Sequence, residues 1–232
     1  MSLNNMQAVI LAAGKGTRMR PLTYDIPKPM LLIKGKPILG YTLAALPEEV
    51  DEIIFVVNYL AEQIQNYFGS ENRGRKISYI IQEELNGTGG AIHSCKHLLK
   101  DEFLVINGDD LYKKEDITAM LKSDISVLAY EIENPKRFGI LKMDENGNLV
   151  DIIENTVEIK GNQLINTGTY KLNMKFFDYE LVPISETEFG LPQTMMQMAK
   201  DFPVKIVIAS EWFPIGFPED LKKAEDLIDK FI

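Results

Sequence analysis

A single cysteine, Cys95, stands among 232 residues. That excludes an internal disulfide framework and any multi-cysteine zinc or iron–sulfur site, and it suits a reducing compartment. Long apolar runs are missing too. The longest, such as 53–57, fall far short of the roughly 18 residues that a bilayer-spanning helix needs. Residues 1–7 lack the basic flank and apolar stretch of a secretory signal. The chain therefore reads as cytoplasmic, with no membrane partner. Positive charge is scarce, with 25 Lys and Arg against 34 Asp and Glu and a formal charge of −9. Non-specific nucleic-acid binding relies on a broad positive field, so no nucleic-acid partner is expected. Anionic substrates stay open, because a local cluster of cations can outweigh the global balance.

What the chain does have is the make-up of a globular protein, 45% hydrophobic and 25% charged. Its length suffices for one large domain with a sizeable core. Over the first half, compact apolar runs at 7–11, 52–57, 77–81 and 103–106 alternate with helical patterns at 38–46, 60–68 and 90–99. In the second helix Leu60, Ile64, Tyr67 and Phe68 are expected to face inward. Strand–helix alternation of this length predicts βαβ crossovers and a mainly parallel sheet. The unbroken apolar run Ile53-Ile54-Phe55-Val56-Val57 agrees, since such strands are covered on both faces. The second half is richer in strands, at 125–131, 139–143, 149–153, 164–171 and 204–209, with an Asn146-Gly147 hairpin turn and a last helix at 219–231. The expected fold is α/β: a Rossmann-like, mixed, mainly parallel sheet with helices on both faces, plus a small β-rich region. The expected organisation is one domain over 1–232, with halves at about 6–112 and 113–232 and no appended module.

Three segments carry chemistry. After the first strand comes Gly14-Lys15-Gly16-Thr17-Arg18-Met19-Arg20-Pro21. Glycines at a strand's C-terminal end let the backbone approach a phosphate, and free amides there are anion ligands. The dinucleotide fingerprint fails at Met19, and the Walker spacing is absent. Lys15, Arg18 and Arg20 within six residues would nevertheless neutralise a polyphosphate. Next comes Pro27-Lys28-Pro29, in which the two prolines are expected to present Lys28 from a stiff, extended segment. Farther on, Asn107-Gly108-Asp109 ends a strand at the sheet edge where open α/β folds bind ligands. A carboxylate there is either a turn former or a ligand for magnesium. His93 and His97, four apart on a helical pattern, read as a solvated helix face, and Met195, Met196 and Met198 as packing residues.

Together, Leu11-Ala12-Ala13-Gly14-x-Gly16-Thr17-Arg18-x-Arg20-Pro21-Leu22-Thr23 and Pro27-Lys28-Pro29 resemble the sugar-phosphate nucleotidyltransferases, over nearly the whole chain. The resemblance implies a reaction: an NTP and a sugar 1-phosphate give an NDP-sugar and pyrophosphate, with Mg2+ as cofactor. It implies that Leu11, Ala13, Gly14, Lys15, Gly16, Thr17, Gln82, Gly87 and Thr88 hold the nucleotide. Arg18, Lys28 and Asp109 would act at the reacting phosphates, and Asp109, rather than Asp110, would bind the metal. Gly139, Glu154, Asn166 and Thr169 would meet the sugar. A homo-oligomer stays open, since relatives of this kind often associate. The chain departs from the family pattern in two places. Asn155 and Thr156 stand where a Lys-Pro pair is expected, and Pro214 stands where a second metal-binding Asp is expected, leaving Asp220 or water to substitute. They keep alive a non-catalytic nucleotide or sugar-phosphate binder, and transfer to a non-sugar phosphate such as phosphocholine.

Overall fold

The computed structural model describes residues 6–133, 135, 138–154 and 159–232. In chain order the elements are β1 (Met6–Ala12), β2 (Leu32–Ile33), β3 (Lys36–Pro37), α1 (Ile38–Ala44), β4 (Val50–Val57), α2 (Ala61–Phe68), β5 (Glu71–Asn72), β6 (Arg75–Ile81) and α3 (Gly87–Cys95). Then come β7 (Glu102–Asn107), β8 (Asp110–Tyr112), α4 (Lys114–Met120), β9 (Ser126–Glu133), β10 (Ile140–Met143), β11 (Leu149–Ile153) and β12 (Asn162–Asn173). The chain closes with β13 (Val182–Pro183), β14 (Phe189–Gly190), α5 (Leu191–Met198), β15 (Lys205–Ile208), β16 (Trp212–Pro214) and α6 (Pro218–Leu227).

One ten-stranded sheet organises the fold, in the order β11-β10-β12-β7-β1-β4-β6-β5, with β9 beside β12 and β15 beside β9. The β7-β1-β4-β6 centre is parallel. β12 then joins β7 antiparallel, and the strand-rich second half grows from there. The expected mixed, mainly parallel sheet is what forms. β4 explains why an unbroken apolar run suits its centre: Ile53, Phe55 and Val57 enter one core cluster, Ile54 and Val56 the opposite one. Alternate side chains of a strand point to opposite faces, so both faces need cover. A third cluster, around Met19, Ile38, Leu111, Ile215 and Ile228, fastens the loop after β1 to α1 and the C-terminal helix.

Several local expectations change. α2 starts at Ala61, so its inward stripe is Ala61, Ile64 and Phe68; Tyr67 is 58% exposed, its ring edge-on to Phe68. α3 begins at Gly87, earlier than the hydrophobic pattern indicates, and ends at Cys95, so His97 is off the helix. His93 does not lie on a solvated face. It packs edge-on against Phe177 and Phe176, with Nε2 buried and unpartnered among the described residues. Met195 and Met198 are fully buried, and the helix α5 that carries them has no counterpart in the sequence reading. Nor has α4, whose first turn buries Asp116.

Burial, and secondarily the charge of Lys96, depress the His93 pKa below 6.5. A base whose folded-state pKa lies below its unfolded value costs stability on protonation, so stability falls as pH drops through the unfolded-state pKa near 6.5. Urea midpoints should therefore be lower at pH 5.5 than at 7.5, and His93→Phe should flatten that slope. An unchanged slope in the variant would clear His93 of any part in it.

Candidate active site

The site grows from the C-terminal ends of β1 and β7. Leu11 sits in register with Val56 of β4 on one side and Asn107 of β7 on the other. The Gly108 amide donates to the Leu11 carbonyl at 2.9 Å, so the two strands release their loops side by side. This is the switch point of an open α/β sheet, where ligands bind. The loop after β1 makes one 3-10 turn, Thr17–Met19, pinned by buried Met19 and by the Thr23 hydroxyl donating to the Gly16 carbonyl at 2.8 Å. Arg18 lies 5.6 Å from the Phe217 ring centroid, and Arg20 turns away over Tyr24.

Lys28 is not on an extended segment. Pro27 is extended, but Lys28–Met30 form a 3-10 turn in which Pro29, at an early position, needs no amide partner. That turn directs Lys28 inward, and the residue is 8% exposed. Its Nζ meets Asp109 Oδ2 at 2.5 Å, tying the loop after β1 to the end of β7.

Three cavities meet there. One of about 420 Å3 is bordered by Leu11, Ala13, Gly14, Lys15, Gln82, Gly87, Thr88 and Glu188. A second, of about 210 Å3, is bordered by Leu11, Gly14, Gly16, Thr17, Arg18 and Lys28. The third, of about 520 Å3, lies between Arg18, Lys28 and the second half of the chain, against Phe138, Gly139, Asn166, Tyr170, Trp212 and Phe217. Asp109 borders all three. Arg20 borders none of them, so of the three loop cations it is Lys15 and Arg18 that reach the cavities.

Asp110, passed over in favour of its neighbour, is also at the site. It borders the 520 Å3 cavity, accepts from the Ile215 amide at 3.2 Å and receives the Tyr112 hydroxyl at 3.5 Å. Burial first, then the adjacent Asp109 charge, raise its carboxyl well above the usual carboxylate range, against the pull of Lys28. Pro214 stands opposite Asp110 in the β16–β8 ribbon and offers no side-chain donor. Asp220 borders the same cavity, and its Oδ2 caps α6 by accepting the Gly216 and Phe217 amides at 3.0 and 2.9 Å. A magnesium ion in this cavity would meet Asp109, which keeps one oxygen outside the Lys28 pair, with Asp110 adjacent. One or two carboxylates fit an ion that retains several waters and takes phosphate oxygens.

On the side of the larger cavity, the register of β12 slips between Asn166 and Tyr170. The irregularity brings Asn166, Thr167, Gly168 and Tyr170 to the cavity. Thr169, expected at the sugar, is instead fully buried opposite Ile106 and borders none of the three cavities. Asn166 is braced on both ends: Nδ2 donates to the Tyr170 hydroxyl at 2.7 Å, and Oδ1 accepts the Gly168 amide at 2.9 Å. Glu154 lies behind Gly139, held by Gln193 Nε2 at 3.1 Å, and does not border the cavity. Asn155 and Thr156, like Lys136 and Arg137, lie outside the described residues.

The family model for nucleotidyl transferases matches residues 7–230. The chain belongs to the nucleotidyl transferase family. The bifunctional protein GlmU of Methanocaldococcus jannaschii is 39% identical over 229 residues, 97% of this chain and 55% of that protein. This chain thus spans about half the length of such relatives. D-glycero-alpha-D-manno-heptose 1-phosphate guanylyltransferase of Campylobacter jejuni is 34% identical, over 93% of this chain and 96% of the relative. Among solved structures, HddC from Yersinia pseudotuberculosis complexed with GMP-PN is 32% identical, covers 96% of this chain and 99% of that one, and superposes with a TM-score of 0.72.

For a nucleotidyl transferase, the sequence reading missed Asn107, which borders both large cavities, and Glu188 at the rim of the smaller of these two. A polar residue ending a strand beside Asp109 was the available signal for Asn107. Glu188 opens a stretch, 188–193, to which the residue pattern assigns no role, and it comes from a hairpin distant in sequence. Asn107 also dictates a glycine. Gly168 has φ +76°, and a Cβ there would collide with Asn107 Nδ2. Gly168→Ala should cost at least about 1–2 kcal/mol for the left-handed backbone alone. Chemical denaturation measures that loss, and nucleotide titration of the folded variant should show weaker binding as Asn107 is displaced. Wild-type stability and affinity would refute the close packing.

Proposed function

We propose that this chain transfers a nucleotidyl group from an NTP to a sugar 1-phosphate, releasing pyrophosphate and forming an NDP-sugar. The observation that carries this reading is the convergence of three cavities on one Lys28–Asp109 pair, with Arg18 beside it. The 420 Å3 cavity suits a nucleoside, the 210 Å3 one a phosphate tail and the 520 Å3 one a sugar phosphate.

No enzyme nucleophile is required, because the acceptor's phosphate oxygen is already ionised. It attacks the α-phosphorus in line, and the protein's work is positioning and charge stabilisation. Arg18, stacked on Phe217 and facing two cavities, stabilises the departing pyrophosphate, with Lys15 assisting. Lys28 grips the phosphates at the reacting centre; Asp109 orients that ammonium and would hold Mg2+. Bound there, Mg2+ supplies screening of the repulsion between two anions. The side chains of Asn166 and Tyr170 present a braced polar surface to the acceptor.

A second acceptor is favoured by one feature. The larger cavity carries Phe138, Trp212, Phe213 and Phe217, and such rings attract a quaternary ammonium as well as a sugar face. Phosphocholine therefore belongs in the acceptor panel.

A coupled pyrophosphate-release assay with Mg2+, across NTPs and acceptors, tests the proposal. Arg18→Ala and Asp109→Ala should each lower turnover at least about a hundredfold, the scale of losing one preorganised stabilising group, with circular dichroism unchanged. Near-normal turnover in either variant removes that residue from the mechanism. If no pair releases pyrophosphate although nucleotide binds, the chain is a binder, the reading that Pro214 favours.

A further inference from the structure

The two cations closest to the meeting of the cavities are held in opposite ways. Asp109 positions the Lys28 ammonium and offsets its charge in the same contact. Arg18 is exposed, and among the described residues it has neither an ion pair nor a hydrogen bond through its side chain. What holds it is the Phe217 ring, with the guanidinium carbon 5.6 Å from the ring centroid. A ring face attracts a cation through its quadrupole and leaves the full charge for an anion. Stacking alone does not mark a site, since Arg20 makes a similar contact with Tyr24 at 5.2 Å, away from the cavities. Arg18 and Phe217 differ in that both border the 520 Å3 cavity, and Arg18 borders the 210 Å3 cavity as well.

The segment that carries the ring is strapped at both ends. Pro214 pairs with Asp110 in the β16–β8 ribbon, and the Ile215 amide donates to Asp110 Oδ1 at 3.2 Å. At the other end Asp220 Oδ2 takes the Gly216 and Phe217 amides, which sets Phe217 at the N-terminal boundary of α6. Ile215 and Met19, the latter next to Arg18, are fully buried in the same cluster. Ring and guanidinium are therefore presented from backbones anchored in one piece of core.

We infer that Phe217 is a positioning residue, whose ring holds the Arg18 guanidinium where the 210 and 520 Å3 cavities meet, with its charge unspent. This rests on the nucleotidyl-transfer reading and deepens it, because that reading assigns Arg18 to the departing pyrophosphate. At Pro214 the 212–220 segment offers no side-chain donor; at Phe217 it contributes a ring.

The experiment is calorimetric titration of the full chain with inorganic pyrophosphate and Mg2+, a probe that engages Arg18 without any acceptor. Phe217→Leu keeps an apolar side chain and removes the π face. It should weaken pyrophosphate about two- to fivefold, the scale of one exposed cation–π contact, while Phe217→Trp should keep or improve the wild-type affinity. In an Arg18→Ala background, Phe217→Leu should change nothing further, which completes a double-mutant cycle. Equal weakening with and without Arg18 would mark a merely structural part for the ring and overturn the inference. Wild-type affinity in Phe217→Leu would overturn it too. A readout independent of how the Phe217 variants fold is the Arg18 side-chain N–H resonance of the wild-type protein, identified by its loss in Arg18→Ala. Ring current should displace it from the ordinary arginine position, and an undisplaced resonance overturns the inference. Pyrophosphate binding that falls in Arg18→Ala but ignores Phe217 sinks the positioning role alone. Binding indifferent to Arg18, or absent in the wild type, sinks the role that the nucleotidyl-transfer reading gives Arg18 as well.

Discussion

The ion pair between Lys28 and Asp109 is the contact on which the remaining arrangement depends. Each partner comes from a different loop, one following β1 and one following β7, and parallel pairing of those strands brings the loops to the same edge. A largely buried ammonium left alone would be costly, so the pair fixes both loops at once. The loop after β1 is thereby held where Arg18 and Lys15 face open space, and Asp109 is held with one oxygen still available. A chain with a charge of −9 thus keeps a small cationic recess whose geometry is set by one of its own acids.

Much of the fold could be read from residue patterns. The apolar runs of β1, β4 and β7 are continuous because both faces of each strand are covered, and such runs are hard to mistake. α4 and α5 escaped notice because each is short and mixes polar with apolar residues, so neither shows a long helical period. Tyr67 was misplaced because it lies beyond the edge of the stripe formed by Ala61, Ile64 and Phe68. It stands about 100° round the helix from Phe68, which leaves its ring at the rim.

The site was legible where its residues lie close in sequence and less so where the fold assembles it. Gly14, Lys15, Arg18 and Lys28 fall within fifteen positions, and the structure brings them to neighbouring cavities. Thr169 failed because strand alternation breaks at the Gly168 irregularity, which no residue count reveals. Glu154 is occupied by Gln193, a partner almost forty residues away. Asp110 and Glu188 owe their surroundings to β16 and to the hairpin before α5, so their chemistry belongs to the tertiary structure.

β12 has a consequence for how such a protein can change over time. Its twelve residues run beside β9 and join β7 at one end and β10 near the other, so the floor of the 520 Å3 cavity and the strand that leads to Asp109 belong to one continuous ladder. The aromatic wall, in contrast, is supplied by Phe138 and the 212–217 segment, which lie off that ladder in the surrounding connections and the β16–β8 ribbon. Substitutions in the wall can reshape the cavity without disturbing the frame that holds Lys28 and Asp109. The lining of the cavity can therefore vary while the sheet beneath it stays in place.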